Sequence, residues 1–422
     1  MHPLTANEND RLLLWSHVRE FAVPTSMIES ATARRTAGDW AGACAAARVD
    51  VDLNLRALGR ARGAHFAARI RADLRHLAPD LLRWHFPRTA PDGLLRPGLT
   101  VALAKYYPDS DDPGSGDPVH LVARTPPAWA EAGQRISLAL WERSGAGAHP
   151  HPHPDRRFRL DLHRHLWDAR RTGELAERSG GEQHWPAEAE LLLRKENCAE
   201  RVVVVRLGSR RRVVLNLEAP GETPGRGSRL WPVLPDAATW VLPDLELLRA
   251  GLIDADGLHP LVAAALVPDH RPAGARREGV AGQRLVDCRG STHRIAVVDG
   301  VLTPLDHDSD EIRREELLFA FGGPPLPCLR VIDETHRRPE GLVDIRARLD
   351  HGDTAGALAV VESLLGSDVL LRNGSLRDEL ERAVRHKVVH GLYRAGLTGL
   401  GPTPRNRVSR VRSRLRHAYS SC

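Results

Sequence analysis

Lysine is nearly missing from this chain. Of 60 basic residues only Lys105, Lys195 and Lys387 are lysines. Arginine offers a bidentate fork for phosphate and carboxylate. Arg, Ala, Gly and Pro also share GC-rich codons, so the bias reads first as genome composition. Long apolar runs are missing too. Leu261 to Val267 falls far short of the roughly 20 residues a membrane span needs, and no secretory signal is expected. The five cysteines, Cys44, Cys198, Cys288, Cys328 and Cys422, form no CxxC pair. That pattern argues against a zinc ribbon or finger, and no metal is expected. A scattered, odd count fits a reducing, cytoplasmic setting. The chain has no GxxxxGK[ST], HExxH, GxSxG or GxGxxG, so the common nucleotide, zinc-protease and hydrolase readings fall away and no cofactor is expected.

Acid is missing at one end. None follows Glu381, while Arg405, Arg407, Arg410, Arg412, Arg414 and Arg416 supply six charges, matching the formal net charge of +6. The body is therefore near neutral, and the basic character belongs to an Arg-rich, flexible tail at 399–422. Such a tail is a nucleic-acid arm or a solubilising end.

What remains can build a real core: 422 residues, 42% apolar and 27% charged, enough for two or three domains. Periodic Leu and Ala spacing predicts a helical module over 1–95. Short apolar runs between Gly/Pro turns (Thr100 to Tyr107, Val119 to Ala123, Ile136 to Trp141, Phe158 to His163) predict an antiparallel β-rich domain over 96–220. Val202–Val205 and Val213–Leu215 flank Gly208-Ser209 as a hairpin. A mixed α/β segment fills 221–339, and a second helical module 340–398. The fold class is α+β, with helical modules at both ends of a mainly antiparallel middle. All nine Trp lie at or before Trp240.

The two helical modules share an echo. Gly38-Asp39-Trp40-Ala41-Gly42-Ala43-Cys44-Ala45 returns as Gly352-Asp353-Thr354-Ala355-Gly356-Ala357-Leu358-Ala359, identical at six of eight positions. Asp before an Ala-rich run is a helix start. The repeat predicts paired helices that offer binding faces, with the β-rich middle holding them apart.

Several constellations could carry chemistry. Cys288-Arg289-Gly290-Ser291-Thr292-His293-Arg294 matches Cys-x5-Arg and resembles the phosphate loop of protein tyrosine phosphatases. There a low-pKa thiolate attacks phosphate held by the Arg. The following Ile295 to Gly300 reads as strand and turn where that family has a helix. Asp306-His307-Asp308-Ser309-Asp310-Glu311 is rich in metal-capable side chains, yet Asp308 with Glu311 has capping-box spacing. Arg385-His386-Lys387-Val388-Val389-His390 resembles the Arg-His-x3-His pattern of HEPN-type ribonucleases, which would let Arg385 and His390 flank one phosphate. His149, His151 and His153 alternate with Pro as a stiff linker. His163 and His165 are expected two apart on one solvated strand face. Arg206, Arg210, Arg211 and Arg212 surround the hairpin turn and could track a phosphate backbone, with Glu196, Glu200 and Glu218 near enough to neutralise them.

The whole chain resembles uncharacterised proteins of GC-rich actinomycetes, most of all over the segment Arg34 to Leu58. The resemblance implies a cytosolic setting, brings no established activity and carries over no functional residue.

The expectation is an intracellular interaction protein without a membrane anchor. Its helical ends would meet a protein partner, and nucleic acid is the favoured partner class because of the Arg tail. The rival is an enzyme on a phosphate-bearing substrate, using Cys288, His293, Arg294, His307 and Asp308 in 284–316, or Arg385 with His390.

Overall fold

The computed structural model describes residues 4–397 apart from 108–116, 132, 144–148, 150, 179–180, 208–210, 220–230, 271–283, 289, 299–300, 340 and 367–369. The Arg tail therefore lies outside the described residues, as does the turn expected at Asp299-Gly300.

The first part is built from six helices, Leu4–His17 (α1), Thr25–Thr36 (α2), Trp40–Ala46 (α3), Leu55–Arg62 (α4), Ala64–His76 (α5) and Pro79–Trp84 (α6). They pack on a sheet of Val49–Val51 (β1), Thr100–Tyr106 (β2), Val119–Arg124 (β3) and Ile136–Trp141 (β4). The order is β1-β4-β3-β2. β2, β3 and β4 form the expected antiparallel meander. The short β1 was not foreseen inside the helical module; it joins β4 in parallel, with Val49 opposite Ile136. That pairing carries the chain from the helical segment into the sheet, so the boundary at residue 95 falls inside one core. The core runs from Trp15 to Val262. Trp84 and Trp167 are its largest fully buried side chains. Six of the seven residues of β2 and four of the six of β3 are buried, and such strands read as continuous apolar runs rather than alternating ones.

The middle of the chain continues that core and adds a smaller one. Phe158 to His163 is not a strand: turns lead into a 3-10 turn at Arg164–Leu166. His163 and His165 are accordingly buried, not on a solvated face. His163 Nε2 lies 3.1 Å from Glu188, and its Nδ1–H donates to Arg159 O at 2.8 Å. Helices Leu175–Arg178 (α7) and Trp185–Glu196 (α8) follow, then the predicted hairpin of Val202–Leu207 (β5) and Arg211–Asn216 (β6). Pro243–Arg249 (α9) and Pro260–Leu266 (α10) return to the first core through Leu247 and Val262.

The last part holds a three-stranded antiparallel sheet, Arg284–Cys288 (β7), Ser291–Val298 (β8) and Val301–Pro304 (β9). Helices Ser309–Ala320 (α11), Pro327–Arg337 (α12), Leu342–Asp350 (α13), Thr354–Leu365 (α14) and Ser375–Arg394 (α15) complete it. The architecture is α+β. Among the described residues no helix is long and apolar enough to cross a membrane.

The echo is a structural repeat. α2–α3 and α13–α14 are both tight helical pairs whose turns place Gly38 and Gly352 at φ 81° and 80°. Asp39 caps α3 by accepting from Gly42 N at 2.8 Å, and Asp353 caps α14 by accepting from Gly356 N at 3.3 Å. Each Asp also accepts at 3.2 Å from the arginine five residues before it, Arg34 or Arg348.

The two copies differ in surroundings. The β-rich middle does not hold the helical ends apart, because the second copy docks on the first part of the chain. Arg48 donates to His351 O and Asp353 Oδ1, both at 2.9 Å. Gly352 sits so close that a Cβ there would meet Gly133 O at 2.3 Å. Replacing Asp39 by Ala should thus cost about 1 kcal/mol, the value of a cap. Asp353→Ala should cost about 2–3 kcal/mol, because the part-buried Arg48 at the docked face loses its carboxylate as well. Thermal unfolding of both variants checks this; equal losses would mean that the Arg48 contact adds nothing.

Candidate functional site

Where α5, the edge strand β2, the turns after Phe158 and α8 meet, they leave a cleft of about 380 Å³. Its lining includes Arg69, Lys105, Arg159, Arg164, Arg171 and Lys195 against one carboxylate, Asp161. Four of these cations are engaged. Arg159 grips Asp161 with two 2.8 Å bonds and reaches Glu196 at 2.6 Å. Arg164 bridges Asp73 and Asp168, and Arg171 pairs with Glu174. Arg69 donates to Tyr107 O at 3.2 Å. Burial alone would raise the Asp73 carboxyl; hydrogen bonds from Arg164, Tyr106 and Arg170 outweigh it and hold it below the usual range.

Lys105 and Lys195 differ. Both are exposed. Lys105 lies 5.3 Å from the Tyr107 ring centroid, and neither lysine meets a carboxylate among the described residues. Two of the three lysines in the chain thus share one cleft. The volume lies within the range of small-molecule sites. Sequence reasoning missed the cleft because its lining comes from five separate segments.

A second pocket, of about 200 Å³, lies between β1, β4 and α15 and includes Asp50, Asp52, Arg124, Arg135, His149, His390 and Arg394 in its lining. Arg135 closes on Asp50, and Arg394 on Asp52. His149 is no free linker residue: its Nε2 lies 3.0 Å from Thr125 O. His390 is buried, its Nδ1–H donating to Ala130 O at 2.8 Å, and burial lowers its pKa. Arg385 is 65% exposed on the same helix and 3.7 Å from Glu381. Five residues of helix set the two about 140° apart around the axis, so they do not flank one phosphate.

Cys288 to Arg294 forms no phosphate-holding loop. Cys288 ends β7 opposite Ser291, and β8 follows in place of a helix. Arg294 is taken by Asp306, which accepts from its Nη2 at 2.8 Å and from its backbone N at 2.7 Å. Asp308 starts α11 in an extended conformation, but its side chain makes no capping bond. Arg206 and Arg212 oppose each other across the β5–β6 ladder, beside Arg211, and Glu196 is occupied by Arg159. Arg210 lies outside the described residues.

Cys288 and His307 do meet, in company the sequence did not suggest. The ligand atoms of Cys288, His307 and Cys328 all lie within 4.8 Å of one another. The His293 ring centroid is 4.1 Å from that of His307. Burial and the Cys288 thiol push the Cys328 thiol up to about 12.

No family model, no curated protein and no solved structure matches this chain.

The site must therefore be judged on its own chemistry. The cleft offers anion binding, and the Cys/His cluster offers soft metal ligands. The expectation of no metal rested on the absence of a local CxxC pair. This cluster draws on β7, β8, the turn before α11 and the first turn of α12, and no short motif spans such a set.

Proposed function

We propose that this protein is a binding protein for a phosphate-bearing ligand held in the cleft between α5, β2 and α8, with nucleic acid as its partner class. The observation that supports the reading is the pair Lys105 and Lys195, cations that meet no carboxylate among the described residues, in a cleft whose other cations are engaged. The Arg-rich tail would add sequence-independent affinity for the same backbone, and a cytoplasmic setting goes with this reading. The residues named for phosphoryl or ribonuclease chemistry do not converge on the cleft, and the role proposed is recognition.

The test is fluorescence anisotropy with a labelled single-stranded RNA and a labelled duplex across a salt series. The full chain, a chain ending at Thr398, and both carrying Lys105→Glu with Lys195→Glu are compared. Removing the tail should flatten the salt dependence, since the log–log slope on duplex DNA is about −0.9 per phosphate neutralised. In the tail-less chain the double reversal should weaken binding about tenfold or more and reduce the slope by about two. Affinity untouched by the reversal would overturn the cleft as the site. Binding lost wholly with the tail would leave the cleft without nucleic acid.

A further inference from the structure

We propose that Cys288, Cys328, His307 and His293 hold a structural zinc ion that staples the β7–β8–β9 sheet to α12. The β7–β8 register sets the first pair. Val286 faces His293 and Cys288 faces Ser291, so Cys288 and His293 project from the same side of the hairpin. Cys328 enters on the first turn of α12, fully buried, and Cys288 is 1% exposed. His307 comes from the turn between β9 and α11 with its side chain 4% exposed.

The donors are arranged as ligands rather than as core. Zinc bound by two thiolates and two imidazoles has metal–sulfur distances near about 2.3 Å and metal–nitrogen near about 2.0 Å. Such a shell packs its donor atoms roughly 3.5–4 Å apart, and here three donors already lie within 4.8 Å of one another. His307 Nε2 is buried without a hydrogen-bond partner, and so is His293 Nδ1. A buried polar atom left unpaired is costly, and a metal ion would satisfy both. His307 also has the outer partner that ligating histidines carry: its Nδ1 lies 3.3 Å from Glu311 Oε2. A carboxylate there fixes the tautomer that leaves Nε2 free to bind a metal. Two sulfurs with two nitrogens favour zinc over the oxygen-seeking cations. Four protein ligands would close the site, which makes it structural rather than catalytic.

The packing supplies a second argument. Among the described residues, the hydrophobic cluster of the unit from 284 to 337 buries Cys288, Ile295, Leu326, Cys328 and Ile332. Nothing in α11 is buried, and Leu317, Leu318, Phe319 and Phe321 lie exposed on or just after it. A core this small needs a staple. Binding would release both thiol protons to solvent as Zn²⁺ replaces them, so affinity would weaken as the pH is lowered.

The experiment begins with metal analysis of the purified full chain, where roughly one zinc per chain is expected for one closed site. The chelated protein is then titrated with Co²⁺. The expected spectrum has thiolate charge transfer and the visible bands of tetrahedral cobalt. Cys288→Ser with Cys328→Ser, and separately His307→Gln, should lower bound metal at least tenfold, while Cys44→Ser should leave it unchanged. Chelation should open 284–337 to protease and leave tryptophan fluorescence unaltered, because every Trp lies outside that unit. A serine variant that unfolds would mimic metal loss, so the wild-type cobalt titration decides. Absence of thiolate charge transfer there would overturn the proposal. So would a mass two hydrogens short, with Cys288 and Cys328 recovered as a disulfide. Full tetrahedral cobalt in His293→Asn would overturn His293 as the fourth ligand.

Discussion

Acidification from pH 7 to pH 5 should cost this protein about 4 kcal/mol of stability through two of its buried histidines, before its salt-bridged carboxylates begin to titrate. Two fully buried histidines drive the loss. Burial first, then the charges of Arg178 and His163, hold His165 down to about 2. Burial first, then Arg88, His17 and Arg83, hold His351 down to about 3. Both are pushed below the unfolded value near about 6.5. The stabilisation is therefore complete above pH 6.5 and declines as the pH falls toward the folded values, because the unfolded chain takes up protons that the native state refuses. Each unit below 6.5 costs about 1.4 kcal/mol per histidine, so the pair loses about 4 kcal/mol by pH 5. That is a large share of a typical stability of about 5–15 kcal/mol.

The carboxylates act later. Glu188 is held to about 2, its burial overcome by His163 and Arg178, and Asp73, Asp168 and Asp244 are lowered as well. Their contribution is present above the ordinary carboxylate range and lost as pH falls below about 4. Denaturant midpoints followed by tryptophan fluorescence at pH 7, 6 and 5 measure the first step, and this probe is blind to the Cys/His unit. His165→Asn with His351→Gln should remove about 4 kcal/mol of the loss between pH 7 and 5, leaving the part from His120, which burial lowers to about 4. A wild-type midpoint that does not move over that range would refute the assignment.

His351 shows where sequence reading stopped. Its turn was legible as the start of a capped helix, and the matching Arg34–Asp39 and Arg348–Asp353 pairs stand at equal spacing. Nothing local told that this copy docks through Arg48 while the other faces water, since that contact joins residues some three hundred positions apart. The same limit explains the other misses. β2, β3, β4 and the β5–β6 hairpin were readable because apolar runs between turn residues are a local signal. β1 is three residues long and pairs in parallel with a distant strand, which leaves no local mark. Phe158 to His163 alternates like a strand, but Trp167, Arg164 and Asp73 impose a compact turn with both histidines inside. Cys-x5-Arg drew attention to Cys288 for phosphate chemistry. Its real company is Cys328 and His307, which only the sheet and α12 bring together.

Arg83→Met should lower stability by about 3 kcal/mol, more than most single substitutions at a site without a ligand. Arg83 is fully buried, and its hydrogen bonds go to carbonyls rather than carboxylates. Its Nε donates to Ala22 O at 3.0 Å, its Nη1 to Gln134 O and its Nη2 to His351 O at 3.3 Å. One side chain thus ties α6 to the segment before α2, to the start of β4 and to the docked C-terminal repeat. Burial, and the like charges of Arg48, Arg88 and Arg135, push the guanidinium well below its ordinary pKa. Two effects oppose each other on substitution. Removing the cation relieves that desolvation. It also strips Ala22 O and Gln134 O of this donor, at about 1–3 kcal/mol each, whereas His351 O keeps Arg48. Asp353, whose charge favours the cation, keeps Arg48 and Arg348, so the orphaned carbonyls decide the sign. Arg83→Lys keeps the charge but cannot reach three carbonyls with one ammonium, and should fall nearly as far. Denaturant midpoints of the two variants at pH 7 separate the terms. A lysine variant as stable as wild type would show that charge, not the fork, holds the junction. A methionine variant within about 1 kcal/mol of wild type would show that relief of desolvation balances the lost bonds.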